Sequence, residues 1–410
     1  MLKEYYKKNK IDIITGSIAA VVIGFIVVIL LFGVGNKGEV EDVTTGQVAA
    51  TVESDSYVIS DDETSSQTNG ETSTEEVTTE ETTTVLTYEV LNQKLYSTIS
   101  LKVRSLPSED GDVIGYLTEG QKAYVTGRCN ETGWYRIDFE DGVGYVSDVY
   151  MAEECPIEAP SIVAEAAIVY DVDTGEVLYE KNADKKMYPA SLTKIMTTLL
   201  ACEYGKMDEM LTFSENCKAV PYDSSVYGVK VGETVTVKDS MYMLMLVSGN
   251  DVGVGIAEHI SGTEAEFAKL MTKRAKELGA TNTSFANSHG YHHENHYTTA
   301  RDMMLITLEG LKYDDFVDVW EALEYTVPVT NKVSRVTKIK NIHKMLRNDL
   351  SQHYEYALGG KTGFTDDAGR CAITTAKKNG RTLLCVTMKS NKSNQYKDGQ
   401  KLFEYCFSYK

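Results

Sequence analysis

Residues 13–34 run for 22 positions without one charged side chain. A helix of that length spans the hydrocarbon of a bilayer, and within lipid a lone segment must satisfy every backbone N–H and C=O by itself. Lys3, Lys7, Lys8 and Lys10 precede the run, and an acidic stretch follows it. That asymmetry places residues 1–12 in the cytoplasm and everything after the run outside. The run is too long for the apolar core of a cleaved signal peptide, and Gly35-Asn36-Lys37 offers no good cleavage site. We therefore expect an N-terminal transmembrane helix that stays as a single-pass anchor in a cell membrane. A buried globular helix fits neither the length nor the charge asymmetry.

Between residues 38 and 93 there are 14 Asp and Glu and no Lys or Arg. This window carries most of the net charge of −19 and leaves −5 for the rest of the chain. Glu71-Thr72-Ser73-Thr74-Glu75-Glu76-Val77-Thr78-Thr79-Glu80-Glu81 is typical of it. Such a composition buries too little apolar surface to fold, and like charges extend it, so residues 35–85 are expected to be a disordered spacer. No basic patch exists to neutralise phosphates, which argues against a nucleic-acid partner. The seven cysteines, Cys129, Cys155, Cys202, Cys217, Cys371, Cys385 and Cys406, form no C-x-x-C pair and read as free, mostly buried thiols.

From 86 to 152 the pattern becomes short alternating runs separated by turn residues, which predicts a small β-barrel. Ser100-Leu101-Lys102-Val103-Arg104, Val113-Ile114-Gly115-Tyr116-Leu117, Gly133-Trp134-Tyr135-Arg136-Ile137 and Gly142-Val143-Gly144-Tyr145-Val146 are its strands. Their order, L-x-V-R-S-x-P, V-I-G-x-L, G-W-Y-R-I and G-x-G-Y-V-S, resembles a bacterial SH3-like (SH3b) domain. The resemblance implies scaffolding or a cell-wall ligand. Trp134, Tyr135 and Tyr145 either line a binding groove or belong to the barrel core.

Residues 153–161, with two prolines, read as a linker, and 162–410 as one large domain. Ala167-Ile168-Val169-Tyr170-Asp171 and Glu176-Val177-Leu178-Tyr179 predict a hairpin at its start. Asn379-Gly380 predicts another near its end, pairing Lys378 with Arg381 and hence Cys371 with Met388. Residues 237–247 read as a fully buried helix, followed by helices at 251–261 and 263–278, and 396–407 as a last amphipathic helix. Strands at both ends with helices between them suggest one mainly antiparallel sheet and a helical subdomain, an α/β (α+β) arrangement.

Three polar groups stand out in this domain. Ser191-Leu192-Thr193-Lys194 follows Pro189 at a predicted helix start, where positions i and i+3 share a face. A buried lysine there tends to lose its proton and can activate the serine without histidine. Ser248-Gly249-Asn250 lies where the buried helix stops, so that a hydroxyl and an amide project into a cleft. Lys361-Thr362-Gly363 adds a positive charge that favours a neutral Lys194, a hydroxyl for a carboxylate, and a glycine that admits an extended peptide to a sheet edge. Together S-x-x-K, S-x-N and K-T-G match the signature of class A β-lactamases and penicillin-binding proteins.

The surrounding residues narrow the resemblance. Tyr188-Pro189-Ala190-Ser191-Leu192-Thr193-Lys194, Leu246-Val247-Ser248-Gly249-Asn250-Asp251, Ala286-Asn287-Ser288-His289-Gly290, His296-Tyr297-Thr298-Thr299-Ala300-Arg301-Asp302 and Gly359-Gly360-Lys361-Thr362-Gly363-Phe364 are similar to low-molecular-mass penicillin-binding proteins. These form the D-alanyl-D-alanine carboxypeptidase (serine peptidase S11) family. The resemblance implies the serine β-lactamase/DD-peptidase fold and removal of the terminal D-alanine from peptidoglycan stem peptides. It implies Ser191 as nucleophile, Lys194 as base and Ser248 as proton relay, with Asn250, Lys361, Thr362 and Gly363 binding substrate. The oxyanion would sit on the N–H groups of Ser191 and Phe364, β-lactams would acylate Ser191, and no cofactor or metal is implied. Val252, Thr272, Ser288 and Gly360 stand where the family usually has alanine, asparagine, proline and isoleucine.

Four alternatives compete with this reading. A class A β-lactamase needs a deacylating glutamate in E-x-x-L-N, and Glu294-Asn295 lacks that spacing. A zinc site among His289, His292, His293 and His296 is disfavoured, because His293-Glu294-Asn295-His296 is not H-E-x-x-H and the stretch is turn-rich; these read as loop histidines. An endopeptidase acting on cross-linked peptidoglycan and an inactive wall-binding sensor remain, and the complete set of motifs argues against the sensor.

Overall fold

Residues 86–140 and 142–409 are described by the computed structural model, so the expected cytoplasmic tail, anchor and spacer lie outside the described residues. Among the described residues no helix is long and apolar enough to cross a membrane. The chain divides into two units, with the boundary between Glu158 and Ala159.

The first unit is all β. Strands β1 (Tyr88–Ser97), β2 (Leu101–Arg104), β3 (Val113–Leu117), β4 (Lys122–Cys129), β5 (Tyr135–Phe139), β6 (Gly142–Val146) and β7 (Met151–Ala152) form one antiparallel sheet in the order β3-β2-β6-β5-β4-β1-β7. The alternation read from sequence turns one side chain in two inward. Leu95, Leu101, Val103, Leu117, Val125, Ile137 and Val146 make the core. Trp134, Tyr135 and Tyr145 are half-buried, and of these only Tyr135 packs on that core. Tyr145 instead meets the hydroxyl of Tyr88 at 3.4 Å, and Arg136 lies over the Tyr88 ring at 5.1 Å.

The second unit is built on a five-stranded antiparallel sheet supplied from both ends of the domain. β8 (Ala166–Asp171) and β9 (Val177–Lys181) come first in the chain. β14 (Ala357–Thr365), β15 (Gly369–Lys378) and β16 (Arg381–Ser390) come last, in the spatial order β14-β15-β16-β8-β9. Between them lie α1 (Lys194–Tyr204), α2 (Val237–Leu246), α3 (Asn250–Ser261), α4 (Glu264–Glu277), α5 (Ala300–Gly310) and α6 (Asp314–Glu321). Two small strand pairs, β10 (Met210–Thr212) with β11 (Thr234–Thr236) and β12 (Glu324–Val327) with β13 (Thr337–Lys340), complete the insert. The last helix, α7 (Gln395–Tyr409), is tied back to the domain's start. The buried Asp398 carboxylate accepts from Val163 N–H (3.0 Å), Ala164 N–H (2.9 Å) and Ser390 Oγ (2.6 Å). These three donors offset the cost of burying that polar group.

Asn379 and Gly380 both have positive φ (52° and 85°), as a two-residue I′ hairpin requires. Lys378 pairs with Arg381 and Thr374 with Cys385 as expected. The expected pairing of Cys371 with Met388 fails. Ala372 pairs with Thr387 but Arg370 pairs with Ser390, so β16 carries one extra residue there, a bulge next to Lys389 at φ 55°. None of the seven cysteines, all of them among the described residues, forms a disulfide, and five of them are buried.

Candidate active site

The site forms where α1, the α2–α3 junction and the edge strand β14 converge. Ser191 does not sit in the α-helix. It lies in a 3-10 turn (Ala190–Thr193) that runs into α1 at Lys194. Residues 194–201 of α1 are buried on every side, so the helix passes through the interior and takes the Lys194 side chain with it.

The Lys194 amine has three neighbours at hydrogen-bond distance: Ser191 Oγ at 3.0 Å, Asn250 Oδ1 at 2.7 Å and the His289 carbonyl at 2.6 Å. Asn250 Oδ1 and the carbonyl can only accept. A neutral amine satisfies both with its two protons and turns its lone pair to the Ser191 hydroxyl. Burial, followed by the nearby Lys361, pushes Lys194 well below its ordinary range; Asp251 opposes this and does not overcome it.

Ser248 occupies the break between α2 and α3 with φ 61°, a strained conformation for serine that turns its hydroxyl into the cleft. Its Oγ accepts from Lys361 Nζ at 3.1 Å, and the Thr362 carbonyl takes a second bond from the same amine at 2.7 Å. Lys361 is buried, and burial brings it down to about 7.

Strand β14 has a partner, β15, on one side only, so its other edge faces the cleft. Gly363, expected from sequence to admit substrate, has a packing role as well. A Cβ there would stand 2.9 Å from Ser191 N and 3.0 Å from the Pro189 carbonyl, so only glycine lets β14 close on the serine turn. Phe364 follows, with its ring 3.9 Å from the Arg370 guanidinium. Ser191, Ser248, Asn250, Thr362, Gly363 and Phe364 all line one cleft of about 460 Å³, with Lys194 and Lys361 buried beneath them.

Sequence reading missed Asp251. Its buried carboxylate accepts from the N–H groups of Tyr227 (2.9 Å), Gly228 (2.7 Å) and Val229 (3.0 Å), and Asn250 N–H donates to the Ser225 carbonyl at 2.8 Å. These bonds fold the 225–229 loop over the site. The signal lay next to the second motif, an acid in the first turn of a helix, where it holds backbone donors. The clustered histidines lie in loop as expected, but His289 and His296 are buried there, whereas His292 is exposed with its Nδ1 3.3 Å from Asp367. Among the described residues no three His, Cys, Asp or Glu gather in a way that would hold a metal ion.

Comparison with known proteins gives two family matches. The model of the D-alanyl-D-alanine carboxypeptidases matches residues 153–392, and that of the bacterial SH3 domain matches residues 99–152. The D-alanyl-D-alanine carboxypeptidase DacF of Bacillus subtilis is 37% identical over 251 residues, which cover 60% of this chain and 62% of that protein. DacC of Escherichia coli is 32% identical over 271 residues, 63% of this chain and 64% of that one. The chain thus spans somewhat less than two thirds of the length of these relatives. The crystal structure of the Streptomyces K15 DD-transpeptidase superposes with a TM-score of 0.57 at 28% identity, covering 61% of this chain and 99% of that one. The second unit has the DD-peptidase fold, and since the first family match takes in more than half of the residues, the chain belongs to the D-alanyl-D-alanine carboxypeptidase (peptidase S11) family.

Proposed function

We propose that the protein is a serine-type D-Ala-D-Ala carboxypeptidase that trims peptidoglycan stem peptides through an acyl-enzyme on Ser191. The observation that carries this reading is the Lys194 amine, buried and 3.0 Å from Ser191 Oγ with its other two neighbours acceptors.

Ser191 Oγ gives its proton to Lys194 Nζ and attacks the carbonyl between the two D-alanines. The oxyanion forms against the N–H groups of Ser191 and Phe364. Ser248 gives its hydroxyl proton to the leaving nitrogen and takes one from the Lys361 ammonium to which it is hydrogen-bonded, and the C–N bond breaks to release D-alanine. Asn250 has its Oδ1 engaged by Lys194, so its NH₂ end is the one that can meet a substrate carbonyl. Lys361, Thr362 and Gly363 receive the terminal carboxylate end. Water then cleaves the ester. A β-lactam acylates Ser191 by the same route, but its leaving nitrogen stays tethered and obstructs the water, so the adduct persists.

The charge pattern of residues 1–34 supports a membrane anchor with the catalytic domain outside, residues 35–85 supplying reach and the SH3-like unit a cell-wall contact. Fractionating cells that express the full chain tests the anchor: the protein should sediment with membranes, and a variant lacking residues 1–34 should not. The activity is tested with the full chain in detergent and a pentapeptide ending in D-Ala-D-Ala. Wild type should release one D-alanine per peptide and Ser191→Ala none. No release by wild type, with the fold intact by circular dichroism, overturns the reading.

A further inference from the structure

His296 has no part in the mechanism above, yet it is buried between the nucleophile turn and the 284–298 loop, at 2% exposure. The Ala286 N–H donates to its Nδ1 at 3.2 Å, so that nitrogen carries no proton. Burial keeps the ring neutral, pushing it down to about 3. The ring proton therefore sits on Nε2, which lies 2.8 Å from Thr193 Oγ1. The Thr193 hydroxyl donates in turn to the Ala190 carbonyl at 2.8 Å.

Ala190 immediately precedes Ser191 and has φ 48°, a left-handed conformation that residues with a Cβ rarely adopt. Something must hold it there. Gly290, at φ 92°, packs on the same carbonyl: a Cβ at that position would overlap it and stand 2.8 Å from Thr193 Oγ1. The Ala190 C=O and the Ser191 N–H belong to one planar trans peptide and point in opposite directions. Fixing the carbonyl therefore aims the N–H.

We propose that His296 is a positioning residue: through the Thr193 hydroxyl it clamps the Ala190 carbonyl and so points the Ser191 N–H at the developing oxyanion. The inference rests on Ser191 being the nucleophile. The chain of bonds has one direction, Ala286 N–H to His296, His296 to Thr193 and Thr193 to Ala190, with the donor roles of His296 and Thr193 fixed. Its effect falls on charge that develops during attack, and not on binding of the intact substrate.

Acylation of the full chain in detergent by a fluorescent penicillin separates these terms, read as the acylation rate constant and the apparent Kd. Thr193→Val and His296→Phe keep the shape and remove the relay. Each should slow acylation about 10²-fold, as loss of an oxyanion donor does, with Kd within about threefold of wild type. Thr193→Ser restores the hydroxyl and His296→Gln restores a donor near Nε2, and both should recover most of the rate. Wild-type rates in Thr193→Val, or losses confined to Kd, overturn the proposal. Thermal melts identify any variant that fails to fold. For that case the ¹⁵N shifts of His296 in the wild type decide: an Nε2–H tautomer is required, and an Nδ1–H tautomer or an imidazolium at neutral pH contradicts the relay. Wild type that never acylates would remove the Ser191 reading, and the tautomer would still test the chain of bonds.

Discussion

At the scale of single residues the proposed chemistry depends on a lysine whose burial disfavours its proton. Lys194 is entirely buried, with acceptors on two sides and the nucleophile on the third. Replacing it tests this directly. Lys194→Met should lower the rate of penicillin acylation by about 10²–10⁴, the range for loss of a general base. Lys194→Arg should not recover it, because a guanidinium stays charged and has no lone pair to offer. If the arginine variant acylated within tenfold of wild type, Lys194 would be serving as a charge and not as a base. The same scale holds what sequence alone could not reach. Ser191, Lys194, Ser248 and Lys361 were legible because each motif carries its own chemistry at fixed spacing. The His289 carbonyl, the Ser248 φ of 61° and the Ala190 φ of 48° were not, since backbone direction leaves no mark on residue type unless glycine is used.

At the scale of elements, the site is a matter of how closely β14 approaches the serine turn and what fills the space behind it. The first and last hairpins and the helices α1–α4 and α7 were readable from apolar periodicity and the Asn379-Gly380 turn, whereas α5, α6 and β12–β14 were not read. The bulge in β16 was not, because residues 382–388 are all buried and show no alternation from which a shift of register could be read. Two glycines on β14 show what packing decides. A Cβ on Gly363 would press on Ser191 N, so Gly363→Ala should move the serine turn and reduce acylation by at least about 10²-fold. Gly360, where the family's usual residue is isoleucine, has a different neighbour. The buried His343 ring lies where that side chain would go, its Cδ2 and Nε2 2.8 Å from a Cβ at 360, and its Nε2 is 3.0 Å from Thr374 Oγ1 on the adjacent strand. Gly360 pairs with Thr374 in the sheet, so the imidazole covers that pair. Gly360→Ile should destabilise the domain by about 1–3 kcal/mol or more through overpacking, and adding His343→Ala should restore only part of the loss, because the Ile373 carbonyl oxygen would still stand 2.5 Å from the new Cβ. Denaturant midpoints of the two single variants and the double variant provide the check; additive losses would show that the two positions do not share one space.

At the scale of the whole molecule, two separate cores predict two folding units. One is the barrel core around Val103, Val125 and Ile137; the other surrounds α1 and the five-stranded sheet. Residues 159–410 alone should fold and acylate at the rate of the full chain, and a large drop in that rate would mean that the SH3-like unit contributes to the site. Acid should weaken the larger unit. His289, His296 and His343 are each held down to about 3 in the fold, chiefly by burial, against an ordinary value of 6.5. Their neutral forms are favoured in the folded state, so the stability they protect is complete above about 6.5 and is lost as the pH falls from there towards 3. Unfolding midpoints should drop between pH 7.5 and 4.5, and His343→Gln should make that drop shallower. An unchanged slope in the variant would show that His343 does not contribute to the acid response.

The proposed activity comes down to covalent chemistry at one oxygen. Mass spectrometry of the full chain after exposure to benzylpenicillin, with the modified peptide sequenced, reads that chemistry most directly. The prediction is a single penicilloyl adduct on the peptide that contains Ser191, formed by wild type and absent from Ser191→Ala. An adduct on any other residue, or an unmodified and correctly folded wild-type protein, would contradict it.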